Sequence, residues 1–201
     1  MKKNTSKILP IILLTITIYS LCIFFIIFNP LYYFALYQTQ PTYENIEPEI
    51  VNSATNNLVG YFLNFNKLDS NYWTEKEIKH FKDVKNIIYI QLLITIISIS
   101  LIYYKKYSIK TLHDSLKKVR IILLLPLLLL PIFSYFWANI FHTILFSNLY
   151  WIIYPYELSY HLFPETFFVI SLITISLLGF IISNLIMIYI KKKYLPNNKQ
   201  K

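Results

Sequence analysis

The chain has 201 residues and a net charge of +9; 56% of it is hydrophobic, 18% aromatic, and only Gly60 and Gly179 are glycine. Those proportions suit a lipid-embedded helical bundle better than a soluble domain. Two distant glycines exclude a phosphate loop, a dinucleotide fingerprint and a nucleophile elbow.

The first predicted element is the charge-free stretch 8–28, preceded by Lys2, Lys3 and Lys7. Its apolar run is longer than the core of a secretory signal and no small-residue cleavage site follows, so it reads as a retained transmembrane helix. Cys22 lies within it. As the sole cysteine it supports neither an internal disulfide nor a thiolate cluster, and it reads as packing.

In the segment 29–85, Ile46, Ile50, Ala54, Leu58, Tyr61, Phe62 and Phe65 recur at three- and four-residue spacing. The spacing predicts a helix from about Pro48 to Asn64 with one apolar face, opposite Asn52, Ser53, Asn56 and Asn57. Such a helix caps the bundle or lies on the outer leaflet. Thr74 and Glu77 stand at capping-box spacing, which predicts a helix starting there and continuing unbroken into the second charge-free stretch, 86–104. That helix carries Glu77, His80 and Asp83 one turn apart on one face, just above the span.

A basic loop, 105–120, comes next, with His113 read as solvated. In the third stretch, 121–141, Pro126 and Pro131 remove two backbone donors and should bend the helix. His142 follows directly. After the segment 142–165 comes the fourth stretch, 166–190, then a basic tail ending in a loose run from Leu195 to Lys201.

Charge distribution orients these elements. The N-terminus, the 105–120 loop and the tail hold 14 of the 19 basic residues, whereas the segments 29–85 and 142–165 hold nine of the ten acids. The positive-inside rule then puts both termini and the central loop in the cytoplasm and the other two segments outside. The excess positive charge is an orientation signal beside anionic membrane lipids, and no nucleic-acid partner is expected. The predicted fold is an all-α membrane protein: one membrane domain, 1–201, of four transmembrane helices with a small helical extracytoplasmic cap.

No predicted span contains an Asp, Glu, Lys, Arg or His, which argues against proton-coupled transport. Polar chemistry gathers at the outer rim. His80 lies 25 residues before Lys105 and His142 lies 22 after Arg120, so the two imidazoles differ in height by about 4.5 Å at helical rise. They can meet. Two imidazoles at an interface suit acid and base catalysis near neutral pH, with Asp83 or Glu77 available to orient a ring. The plainer alternative is a pair of interfacial histidines in ordinary hydrogen bonds. His80, His142, His161 and Glu165 offer metal-binding atoms at no recognised ligand spacing. Ser147 and Ser159 lie near the histidines and read as solvated loop residues.

At these residues the sequence resembles a known family. The run Glu77, Ile78, Lys79, His80, Phe81, Lys82, Asp83, Val84, Lys85 is similar to the acidic-x-x-His-Phe-x-Asp-Val-Lys motif of the bacterial lipoprotein intramolecular transacylases. The run from Phe141 to Asn148, with Trp151, resembles their second motif, and Leu162, Phe163, Pro164, Glu165, Phe167 and Phe168 resemble the third. Asn57, Leu58, Tyr61, Phe62 and Leu63 resemble the outer helix that precedes them. One departure is Leu149, where the family often has an acid.

The resemblance implies an acyltransferase of the bacterial plasma membrane whose partner is a diacylated lipoprotein. It would move the sn-2 acyl chain from the S-diacylglyceryl cysteine to that cysteine's α-amine, giving a lyso-form lipoprotein. His80 and His142 carry over as the catalytic pair. Asp83, Glu77, Asn148 and Trp151 are the supporting or substrate-binding candidates, Asn148 and Trp151 as oxyanion donors. An amide is more stable than an ester, so the transfer runs downhill and implies no cofactor and no metal. The competing expectations are a non-catalytic membrane scaffold or accessory protein, and a lipid-ester hydrolase.

Overall fold

The computed structural model describes residues 8–39 and 46–194. Lys2, Lys3, Lys7 and the run from Leu195 to Lys201 lie outside them. The described residues form helices and turns: α1 Leu9–Ile27, α2 Pro30–Tyr37, α3 Pro48–Phe62, α4 Glu75–Lys105, α5 Ile109–Ile122, α6 Phe133–Tyr135, α7 His142–Leu145, α8 Leu158–Leu162 and α9 Glu165–Tyr194. A 3-10 segment, Leu125–Ile132, precedes α6, and a π turn, Phe136–Phe141, follows it. Four stretches are long and apolar enough to cross a membrane: Leu9–Ile27, Glu75–Lys105, Ile109–Leu145 and Glu165–Tyr194.

Several boundaries follow from local chemistry. After α1, the Asn29 side chain accepts the Leu31 N–H at 3.1 Å and Pro30 takes the first helical position, so α2 starts at once. The helix α3 stops at Phe62, two residues short of the sequence expectation. There Asn64 adopts φ 65°, its N–H reaches the Tyr61 carbonyl at 3.1 Å, and the Phe65 N–H reaches the Gly60 carbonyl at 2.9 Å. This is a Schellman termination with asparagine in the left-handed position. The capping box forms reciprocally: the Thr74 N–H donates to Glu77 Oε2 at 2.7 Å and the Glu77 N–H to Thr74 Oγ1 at 3.3 Å. From it α4 runs 31 residues without interruption.

Three expectations need correction. The buried face of α3 is Val51, Ala54, Thr55, Leu58, Val59 and Phe62, whereas Ile50 and Phe65 are exposed, so the helix is rotated toward its valines. Much of the expected 105–120 loop is α5, opened by Ser108, whose hydroxyl accepts the Thr111 N–H at 3.1 Å. His113 consequently lies buried on that helix and is not a solvated loop residue. Finally, the third stretch is more than bent: Pro126 and Pro131 sit in a run of 3-10 geometry that gives way to the π turn.

By contacts the chain divides into two compact units. One comprises the described residues of 24–90 and 129–172. Its core interleaves the rings of Tyr33, Tyr37, Phe62, Trp73, Phe81 and Phe167 with aliphatic side chains such as Val51, Leu58 and Leu162, and Phe163 packs against them. Rings of Tyr33 and Phe163 lie 6.2 Å apart, those of Trp73 and Phe81 5.0 Å, both edge to face. The buried Trp73 indole donates to Asn57 Oδ1 at 3.1 Å, tying α3 to the turn before α4. The other unit comprises the described residues of 1–23, 91–128 and 173–201. Its core is aliphatic, built on Ile18, Leu116, Val119, Leu123 and Ile190 around the free thiol of Cys22.

Candidate active site

The first unit gathers the polar side chains that the sequence singles out. The helix α4 presents Glu77, His80 and Asp83 along one side because residues three apart share a helical face. The chain then returns through the π turn, which delivers His142, and through the loop that carries Asn148 and Trp151. The two imidazole centroids are 6.4 Å apart with planes inclined at 39°. Phe146 packs against both rings, at 4.9 Å from His80 and 5.8 Å from His142.

His142 is tightly held. Its ring stacks on Trp151 at 4.7 Å and 23°, and Trp137 meets it edge-on at 4.7 Å. Its Nδ1 lies 2.6 Å from the Trp137 carbonyl oxygen. Trp137 is itself sandwiched, 4.5 Å from Phe141 and 4.3 Å from Phe168. His80 is held differently: its Nδ1 is buried and has no hydrogen-bond partner.

The two carboxylates expected to orient a ring have other occupations. Asp83 Oδ2 accepts the Asn148 amide at 2.9 Å, and Asn148 Oδ1 accepts the Tyr150 N–H at 3.0 Å. Asp83 thus holds the loop, and one of the amide donors foreseen for an oxyanion is engaged. Glu77 is 2% exposed and saturated: beyond the capping box, its Oε1 accepts the Ser159 N–H at 2.9 Å and the Ser159 hydroxyl at 2.5 Å. Ser159 is accordingly buried rather than solvated, whereas Ser147 is exposed. Glu77 ties the start of α4 to α8.

One residue of this site went unremarked in the sequence. Glu157, 1% exposed, accepts the Tyr154 N–H at 2.6 Å, the Thr74 hydroxyl at 3.2 Å and the Lys76 ammonium at 2.9 Å. The same ammonium donates to the Ile152 carbonyl and lies 3.8 Å over the Tyr154 ring. Glu77 and Glu157 together pin the 149–159 loop to the first turn of α4. The available signal was an acid at the N-cap position of the short helix Leu158–Leu162. Farther out, the His161 Nε2 lies 2.9 Å from the Pro155 carbonyl, and Glu165 accepts the Ser134 hydroxyl.

Helices throughout the described residues and four stretches long and apolar enough to cross a membrane define a class, the multi-pass membrane proteins, and this one sets two imidazoles side by side within an aromatic wall. Residues 8–168 match the family model described as lipoprotein intramolecular transacylase Lit, and the chain belongs to that family. It is thus a membrane acyltransferase acting on lipoproteins. In fold it is similar to the solved structures of the membrane-integral Lit from Bacillus cereus. One is 22% identical with TM-score 0.65, covering 94% of this chain and 96% of that one. Another, of the same protein with a histidine-to-arginine substitution, is 24% identical with TM-score 0.65 over 93% and 91%. No curated protein matches the chain.

Proposed function

We propose that this transacylase moves the sn-2 acyl chain of an S-diacylglyceryl cysteine to the α-amine of the same cysteine, with His80 and His142 handling the protons. The observation that carries this reading is the approach of two imidazoles to 6.4 Å, close enough to flank one ester. A free α-amine has a pKa of ~7.7–8.0, so a neutral imidazole can take its proton as the nitrogen attacks the carbonyl. The pair returns a proton to the departing glycerol oxygen. Nucleophile and ester belong to one molecule, and holding them in a near-attack geometry supplies much of the rate.

The Trp151 indole, the remaining Asn148 donor and the His80 ring are the groups nearest to hand for the developing oxyanion. Asp83 and Glu77 act by fixing the frame around the pair. The asymmetry of basic residues supports a site on the extracytoplasmic side of the plasma membrane with both termini cytoplasmic, where anchored lipoproteins and their acyl chains are found.

His80→Ala and His142→Ala should each abolish lyso-form product while the protein still inserts, a loss of roughly 10²-fold or more. Mass spectrometry of N-terminal lipopeptides from a host expressing each variant checks this. Normal product from either variant removes that histidine from the mechanism. Free fatty acid without N-acylated cysteine would indicate a hydrolase instead.

A further inference from the structure

The two histidines are not equivalent, and the difference originates in the backbone. In an α-helix the His142 N–H would bond to the carbonyl four residues back. Across the π turn it bonds instead to the Trp137 carbonyl, five residues back. The same oxygen lies 2.6 Å from His142 Nδ1. A carbonyl oxygen can only accept, so Nδ1 must carry the proton. The wide turn therefore presents one oxygen to both the backbone and the ring of a single residue. The ring planes are then fixed by Trp151 on one face and Trp137 at the edge. What remains is Nε2, with a bare lone pair. Among the described residues His80 has no matching latch, because its Nδ1 is buried without a partner.

Building on the function proposed above, we infer that His142 is the base of the transfer, acting through Nε2, and that Trp137 is its positioning residue, fixing the tautomer through the π turn. The lone pair of the cysteine nitrogen forms the new C–N bond at the ester carbon, and the nitrogen's proton passes to His142 Nε2. The bond from that carbon to the sn-2 oxygen breaks with its electron pair left on oxygen, which takes the proton from the His142 imidazolium. One acyl group and one proton exchange places, and no further reactant is consumed. His80, whose Nδ1 has no carboxylate to orient it, then serves as a hydrogen-bond partner to the reacting oxygen rather than as the first base.

The test uses the full chain in lipid nanodiscs with ring-15N histidine, the His142 signals being assigned by their disappearance in His142→Asn. The expected spectrum at neutral pH has a protonated Nδ1 and an unprotonated Nε2 for His142. A protonated Nε2 overturns the inference. A second variant deletes Ala138, which shortens the π turn by one residue and separates the ring from its acceptor. It should mix the two tautomers and lower kcat for lyso-form product at least ~10-fold, with a smaller change in KM, on the scale expected for impaired general-base catalysis. Full kcat with a mixed tautomer also overturns it. If the deletion variant does not insert, the wild-type spectrum decides alone. A protonated Nε2 in the wild type together with an inactive His142→Ala sinks this inference and leaves the histidine-pair reading standing; an active His142→Ala sinks both.

Discussion

The two compact units stabilise themselves by different means. In the unit that holds His80 and His142, polar links join residues far apart in the chain: Asp83 with Asn148, Glu77 with Ser159, Lys76 with Glu157, Tyr32 with Ser171. In the other, two buried hydroxyls return to their own helix, Thr95 to the Gln91 carbonyl at 2.7 Å and Ser183 to the Gly179 carbonyl at 2.8 Å, and those of Thr15 and Thr17 are buried without a partner. Its cross-helix polar contacts include Gln91 with Ser20 and Arg120 with Asn184 at 3.0 Å. Aliphatic packing suffices to keep spans together in lipid. Placing two imidazoles to within ångströms requires directional bonds, and these are concentrated where chemistry is proposed.

The sharpest way to break this contrast is Glu77→Ala. It strips the buried N–H and hydroxyl of Ser159, and the part-buried N–H of Thr74, of their acceptor, and each unsatisfied buried donor costs about 1–3 kcal/mol. A loss of about 3 kcal/mol or more should appear as a large fall in the unfolding midpoint in detergent, accompanied by loss of activity. An unchanged midpoint would mean that the carboxylate is not structural.

The smallest effect is expected on the aliphatic side. Ser183→Ala removes a hydroxyl that bonds within its own helix, so the unfolding midpoint should correspond to a change within about 0.6 kcal/mol. A larger loss would indicate that the second unit also depends on directional contacts.

Much of this was legible in the chain. Charge-free runs gave the spans, and Thr74 with Glu77 gave the start of α4 because a capping box is chemistry local to four residues. Helical rise counted from charged anchors led to the expectation that His80 and His142 can meet; their rings lie 6.4 Å apart, but the count to His142 runs through 3-10 and π turns where that rise does not apply. The helix α2 was missed although Asn29 and Pro30 are an ordinary start signal; an eight-residue helix leaves too little periodicity to notice. The rotation of α3 was set by what Val51 and Thr55 meet in three dimensions, which spacing does not reveal. The π turn has no local sequence signature, and the role of Glu157 depends on Lys76 and Thr74, some eighty residues earlier.

The rings around His142 bear on a choice that every ester facing a nucleophile must make. Water at bulk concentration competes with a single tethered amine, and a centre that admitted it freely would squander acyl chains as soap. Trp137, Phe146 and Trp151 leave His142 only 8% exposed and surround it with carbon, on which a stray water molecule finds little to hold. If the proposed chemistry holds, the same aromatic wall that immobilises the base also selects the amide over the free acid. Chemical fidelity and mechanical rigidity would then come from one set of side chains.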